Sequence, residues 1–357
     1  MHSDVADKRV LAVSSKRGRE QFGRDSVLGP LETCFVWIDS VEPNPTLGAI
    51  EAAWQQVKDS KFDCLVAFGG GSAMDFAKAL AALSSSSEGA DLRGLVADPQ
   101  VLHQAPRVPI YAIPTTSGTG SEVTPFATIW DDENLKKLSL TSHSLFPAVA
   151  IVDPELSDNT PAIPTFSSGL DALNQAFESV WNRNRSPVTE VLAARAISLA
   201  LDGLPSLLEN LGDRDARDKL AEASLLAGLC ISQTRTAICH AISYPLTAHF
   251  GVPHGFACAF TMAEILSLCV SRAPSLFETV VGVNGNSSPA DLLVEVQSLL
   301  SALQVSSTIR RLAGNVEAIL DVRGEMFTRG RSDNFPLDID EGMLVLILTR
   351  SYGHTLS

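Results

Sequence analysis

The stretch CLVAFGGGSAMDFAKALAAL, residues 64–83, constrains the fold more than any other part of the chain. A short apolar run ends in three consecutive glycines, and a helical pattern rich in Ala and Leu follows at once. Such a run, closed by a turn, reads as a strand buried on both faces. A strand feeding a helix through so short a turn belongs to a parallel sheet, because the helix must cross over before the next strand can pair. Gly69, Gly70 and Gly71 let the backbone approach a ligand closely, and the helix start offers N–H groups and a positive dipole end to an anion. Ser72 is placed either to cap that helix or to donate to a phosphate. The pattern is neither G-x-G-x-x-G nor a Walker A loop, and a tight turn with nothing bound would look the same.

The same rhythm recurs around this unit. RVLAV (9–13), CFVWID (34–39) and VPIYAIP (108–114) read as further buried strands, with helical stretches at 46–58 and 72–84. This predicts an α/β domain with a parallel, Rossmann-like, doubly wound sheet. ATIWD (127–131) and KLSLTS (137–142) flank a charged turn and read as a hairpin, and AVAIVD (148–153) as a last strand. After DPELSDNTPAIPT the periodicity becomes helical, over 166–181, 187–209, 214–233, 256–270, 289–303 and 339–350. The expected organisation is an NAD(P)-binding α/β domain over 1–158 and an all-helical domain over 159–357. SSSSEG (84–89) and VNGNSSP (283–289) read as surface loops.

Composition narrows the partners. The net charge of −14, with no basic stripe, argues against nucleic acid but leaves room for an anionic small molecule, since one arginine can dominate a pocket. Six scattered cysteines without Cys-x-x-Cys read as free thiols in a reducing cytoplasm. MHSDVADKRV lacks an apolar core, and GMLVLILT (342–349) is too short to span a bilayer, so no membrane association is expected.

Three further segments carry candidate chemistry. Asp39, ending the second strand, can take ribose hydroxyls and repel a 2′-phosphate, or be a turn residue. PTTSGTGSEVTPFATI (114–129) gathers Thr115, Thr116 and Ser121 into a loop at a strand's C-terminal end, where α/β folds bind ligands. In GLDALNQAFES (169–179), Asp171 and Gln175 lie one helical turn apart, and CHAISYPLTAHFGVPHG (239–255) adds His240, His249 and His254. Carboxylate and imidazole together suit Zn²⁺ or Fe²⁺, with Asp171, His240 and His254 as three ligands and the Gln175 amide oxygen as a weaker fourth. Taken singly, each histidine is more often a hydrogen-bonded structural residue than a ligand.

Together EPNPT (42–46), GGGSAMDFAK (69–78), PTTSGTGSEVTPFATI, DPEL (153–156), GLDALNQAFES and HAISYPLTAHFGVPHG (240–255) resemble the iron-containing (group III) alcohol dehydrogenase family, in family order over nearly the whole chain. The resemblance implies NAD(P) on the α/β domain and a metal at the cleft with the helical domain. It assigns Gly70, Gly71, Ser72 and Asp75 to the pyrophosphate loop, and Thr115, Thr116 and Ser121 to the cofactor-facing loop. Asp39 falls at the position associated with NAD over NADP. Asp171, His240 and His254 fall on three of four metal ligands. Gln175 stands where the family's first metal histidine belongs, and Tyr244 where many members carry a histidine of the proton relay. SQTRTAICHAISYPLTAHFGVPHG (232–255) and ESVWNRNRSPVTE (178–190) look most like phosphonoacetaldehyde reductase members, which makes Arg235, ahead of Arg183 and Arg185, the candidate cation for an anionic aldehyde. The implied activity is reversible reduction of a small aldehyde to an alcohol, catalytic through Tyr244 and His254, in a homodimer. A metal-dependent cyclase of the dehydroquinate synthase-like type and a metal-free, non-catalytic relative are the alternatives.

Overall fold

A computed structural model describes residues 5, 8–86, 91–103, 108–134, 136–327 and 330–353, so the SSSSEG loop lies partly outside the described residues. The chain forms two compact units, Met1–Thr116 with Ser121–Leu156, and Ser117–Gly120 with Ser157–Ser357.

In the first unit five parallel strands form one sheet in the order β2-β1-β3-β4-β7: β1 (Val10–Val13), β2 (Val36–Ile38), β3 (Cys64–Gly69), β4 (Ile110–Pro114) and β7 (Val149–Ala150). Successive side chains alternate between two cores. Leu11, Val13, Leu65, Ala67, Ile110 and Ala112 face one, and Val10, Ala12, Cys64, Val66, Phe68, Tyr111 and Ile113 face the other. Period-2 alternation with apolar residues on both faces is what a sheet covered on both sides requires. Helix α1 (Lys16–Arg24) covers the second face through Phe22. Helices α2 (Leu47–Val57), α3 (Gly71–Ser85) and α4 (Leu92–Ala97) cover the first. The order reverses beside β1 and β3, so the glycine turn after β3 sits at the sheet's switch point, where such folds bind ligands.

The expected hairpin forms as antiparallel β5 (Phe126–Asp131) and β6 (Lys136–Thr141). The expected strand over 148–153 shrinks to the two exposed residues of β7. At the sheet edge it has a neighbour on one side only, and Pro147 and Pro154 bracket the segment.

The second unit is helical: α5 (Ala162–Val180), α6 (Pro187–Glu209), α7 (Arg214–Thr234), α8 (Ile238–Phe250), α9 (His254–Ala259), α10 (Met262–Arg272), α11 (Glu278–Asn284), α12 (Pro289–Ala302), α13 (Val305–Ala313), α14 (Val316–Asp321) and α15 (Glu341–Gly353). Helix starts follow their caps. Ser186 and Thr189 form a reciprocal capping box ahead of Pro187, Asp213 caps α7 and Ser288 caps α12. One apolar core joins these helices, with Phe177 stacked on the fully buried Trp181 at 5.3 Å. Two departures from the expected helices matter for function. The segment expected as one helix over 256–270 is broken between α9 and α10, and α8, which falls outside every range expected as helical, runs for 13 residues. By length and composition alone Pro187–Glu209 and His254–Arg272 could cross a membrane, yet 56% and 67% of their apolar windows are packed inside the fold.

Candidate active site

At the end of β3, Gly69 adopts φ +147°, a conformation side chains rarely allow, and a Cβ there would lie 2.9 Å from that of Ala73. Gly70 is the N-cap of α3 and offers no side chain to the helix end, which leaves the first-turn N–H groups and the dipole facing outward. Ser72 is therefore not the cap. Its Oγ instead accepts from Asn44 N at 3.2 Å and ties down the EPNPT loop, where Asn44 itself has φ +60°. Thr115 N donates to Gly69 O at 2.9 Å, and Thr116 Oγ1 crowds Gly70, so the two loops close side by side.

The next layer is tied internally. Asp75 accepts from Ser121 Oγ at 2.8 Å and from Thr128 N at 2.9 Å, so both residues assigned to the cofactor brace the loop against α3. Beneath them Lys78, fully buried, donates to Ser121 O, Ser121 Oγ, Thr124 Oγ1 and Phe126 O at 2.6–3.3 Å. Burial lowers the Lys78 pKa to about 8, against the pull of Asp75 and Glu122. Burial likewise raises Asp75, against Lys78. Lys78 was not singled out from sequence, although a lysine inside the apolar run FAKALAAL is the signal for it. Asp39 sits at the end of β2, bonded to Arg19 Nη1 at 2.8 Å; Arg19 also bonds Glu32 and lies over the Trp37 ring.

In the helical unit the metal candidates converge. Asp171 and Gln175 project from one face of α5, and His240 lies in the first turn of α8. His254 starts α9. Helix α9 reaches α5 because Gly255 has no side chain: a Cβ there would stand 1.7 Å from Ser167 O. Asp171, His240, His254 and Cys258 offer donor atoms that all lie within 4.8 Å of one another. Cys258 follows His254 by one helical turn, with Sγ 3.7 Å from His254 Nε2.

Glu178, also unforeseen, organises this corner. It lies on α5 seven residues after Asp171, fully buried. Its carboxylate accepts from Ala237 N at 2.6 Å and His240 N at 3.0 Å, supplying the side-chain cap that α8 lacks at Ala237. It also accepts from His240 Nδ1 at 2.8 Å. A carboxylate only accepts, so the Nδ1 proton is fixed and His240 Nε2 is presented to Asp171 Oδ1, 3.2 Å away. That approach is a contact without hydrogen-bond alignment: Asp171 Oδ1 is buried with no hydrogen-bond partner, and so is Gln175 Oε1. Burial alone would raise the Asp171 pKa, but His240 and His254 hold it below the usual carboxylate range. Burial alone would lower His240, but Cys258, Glu178 and Asp171 raise it well above the usual imidazole value. Burial raises the Cys258 thiol. Orphaned oxygens beside imidazole nitrogens form a donor set that would fit a divalent cation.

Gln175 Nε2 donates to Thr119 O at 3.4 Å; the residue flanks Asp171. Tyr244 lies flat against His254, ring centroids 6.1 Å apart, with the Arg331 guanidinium 4.6 Å above its ring. Arg235 ends α7 at φ +64°, half-buried, its pKa lowered by burial and by Arg331. The Asn334 side chain donates to Thr236 O at 2.8 Å, which docks the Arg331 segment beside Arg235. Arg183 donates to Phe335 O and Arg185 pairs with Glu190, so both are structural. His249 pairs with Glu325, outside the cluster.

A family model described as iron-containing alcohol dehydrogenase matches residues 2–154, and one for the C-terminal part of that family matches 165–320. Phosphonoacetaldehyde reductase of Streptomyces viridochromogenes is 37% identical over 67% of this chain, which spans 60% of that protein's length. The NADPH-dependent butanol dehydrogenase of Clostridium saccharobutylicum is 30% identical over 86% of this chain and 81% of its own. Among solved structures, sulfoacetaldehyde reductase from Bifidobacterium kashiwanohense in complex with NAD⁺ superposes with a TM-score of 0.87 at 27% identity, covering 99% of this chain and 93% of the other.

Proposed function

The chain belongs to the iron-containing alcohol dehydrogenase family, and from that premise we propose that it reduces a small anionic aldehyde to the alcohol with a nicotinamide cofactor and a divalent metal. The observation that carries this reading is the buried convergence of Asp171, His240 and His254 around an Asp171 oxygen that lacks a hydrogen bond. When bound, the ion supplies Lewis-acid polarisation of a carbonyl oxygen and the nicotinamide supplies hydride. The chain's own residues do the rest. Glu178 fixes the tautomer of His240, Asp171 brings the negative charge that draws a cation, and the Tyr244 ring holds His254 edge-on to His240. The Tyr244 hydroxyl is the proton donor to the product, directly or through water.

Arg235 and Arg331 hold the anionic end of the substrate. Two guanidiniums on one wall create a positive potential that a net charge of −14 does not cancel locally. Two of the relatives bear the names of anionic aldehydes, a phosphonate and a sulfonate, which favours this class for the substrate. Asp39 takes the ribose hydroxyls and favours NAD(H), with Arg19 steadying its carboxylate. A cytoplasmic homodimer, acting without nucleic acid or membrane, completes the proposal.

The test is NADH consumption with phosphonoacetaldehyde, sulfoacetaldehyde and neutral acetaldehyde. Arg235→Gln is expected to raise KM for the two anions by about ten- to a hundredfold, the worth of a charge-assisted bond, and to leave acetaldehyde unchanged. An equal loss on all three removes the anion assignment. No NADH consumption with any aldehyde by the metal-loaded protein removes the reductase.

A further inference from the structure

We propose that Cys258 Sγ is a metal ligand, taking the coordination place that Gln175 fills poorly, and that this makes the site prefer zinc to ferrous iron. The proposal rests on the reading that this corner holds a divalent ion.

Burial alone says nothing here, since five of the six cysteines are buried free thiols. What separates Cys258 is position. Among the described residues, the one group of donor side chains within ligand range of each other is Asp171, His240, His254 and Cys258. It is built from three helices. Asp171 lies on α5 one turn before Gln175, His240 starts α8, His254 and Cys258 are one turn apart on α9, and the Gly255–Ser167 contact presses α9 onto α5. The α9 backbone at Cys258 is itself held to α5, because Asn174 Nδ2 donates to Cys258 O at 3.1 Å.

A second, independent observation points to a ligand. Asp171 and Gln175, 4% and 3% exposed, each bury an oxygen without a hydrogen-bond partner, and the Asp171 carboxylate lies within 4.8 Å of that thiol. A neutral amide oxygen, whose own N–H₂ is spent on Thr119 O, is a weak donor for a transition ion. A thiolate is a strong one, and soft sulfur favours zinc over ferrous iron. On ligation the Cys258 S–H bond breaks, a sulfur–metal bond forms, and the proton leaves to solvent. The ion then meets two negative charges, from Asp171 and Cys258, where an imidazole in place of the thiolate would leave it with one.

The experiment uses the whole purified protein, stripped by chelator and reloaded with Co²⁺. The wild type is expected to bind one ion per chain and show a thiolate-to-cobalt charge-transfer band in the near ultraviolet. Cys258→Ser is expected to lose that band and to release Zn²⁺ to a competing chelator about tenfold more readily or worse. Adding Gln175→His to Cys258→Ser should restore Zn²⁺ affinity without the band. One bound cobalt with no band in the wild type, or a band that survives Cys258→Ser, overturns the proposal and leaves the metal centre standing. Failure of the wild type to bind Co²⁺ or Zn²⁺ at all overturns both. The wild-type spectrum does not depend on how any variant folds.

Discussion

At the C-terminal end of β3 the surface proposed for the cofactor is backbone: Gly69 at φ +147°, an N-cap without a side chain, and amides at the start of α3. At the proposed metal corner it is side chains only, brought from α5, α8 and α9, with the backbone's part limited to the close approach at Gly255. The first surface is local, since a dozen consecutive residues build it. The second needs residues 87 positions apart, from Asp171 to Cys258, to meet within 4.8 Å. A local surface tolerates changes in any one side chain. A convergent one fails when any member is removed, and that difference can be tested by single substitutions.

Asp171→Ala should have the largest effect. It removes the carboxylate on which His240 and His254 both bear, so bound metal and aldehyde turnover should fall below detection while NADH binding, measured by fluorescence titration, stays near the wild-type value. Parallel loss of NADH binding would mean the two surfaces are not independent. Glu178→Gln comes next. It is not itself a candidate ligand but bonds His240 directly, and an amide cannot accept from Ala237 N, His240 N and His240 Nδ1 together. Zn²⁺ affinity should drop by about ten- to a hundredfold, as for other partners of metal-bound histidines, and thermal stability should fall because a buried N–H group loses its acceptor. Unchanged zinc affinity with lowered stability would reduce Glu178 to a helix cap.

The same contrast explains what could be read from sequence. The sheet was legible because its strands are short apolar runs with alternate faces buried, and the glycine turn because few backbones other than a tight turn call for three consecutive glycines. Asp171, His240 and His254 were legible only once spacing was joined to a family resemblance, since nothing local says that three helices meet there. Glu178 was hidden inside GLDALNQAFES: at the end of a helix an acid normally faces water, and only the fold shows α8 starting above it. Cys258 was hidden because a thiol in HGFACAF is indistinguishable from packing until Gly255 brings α9 onto α5. For Ser72 it was the capping role that failed: the N-cap is Gly70, two residues earlier, and the hydroxyl serves another loop.

Lys78 offers the subtlest test, because it puts a charge under the backbone-built surface without facing the ligand. With a folded-state pKa of about 8 against 10.5 for the free side chain, the unfolded chain binds a proton that the folded chain lacks between those values. Stability should therefore rise with pH through that window, as the burial cost of the ammonium is relieved, and the contribution should be flat below it. Lys78→Met removes the titrating group while filling similar volume, so urea unfolding free energies at several pH values from about 7 to 10 should show a positive wild-type-minus-mutant slope above about pH 8. The slope is the readout, since loss of the bonds that three ammonium protons share among four oxygens shifts the level of stability at every pH. A flat difference would mean that the ammonium is fully compensated by Ser121, Thr124 and Phe126. The loop bracing would then be electrostatically neutral, and the contrast between a backbone-built surface and a charge-built one would be sharper still.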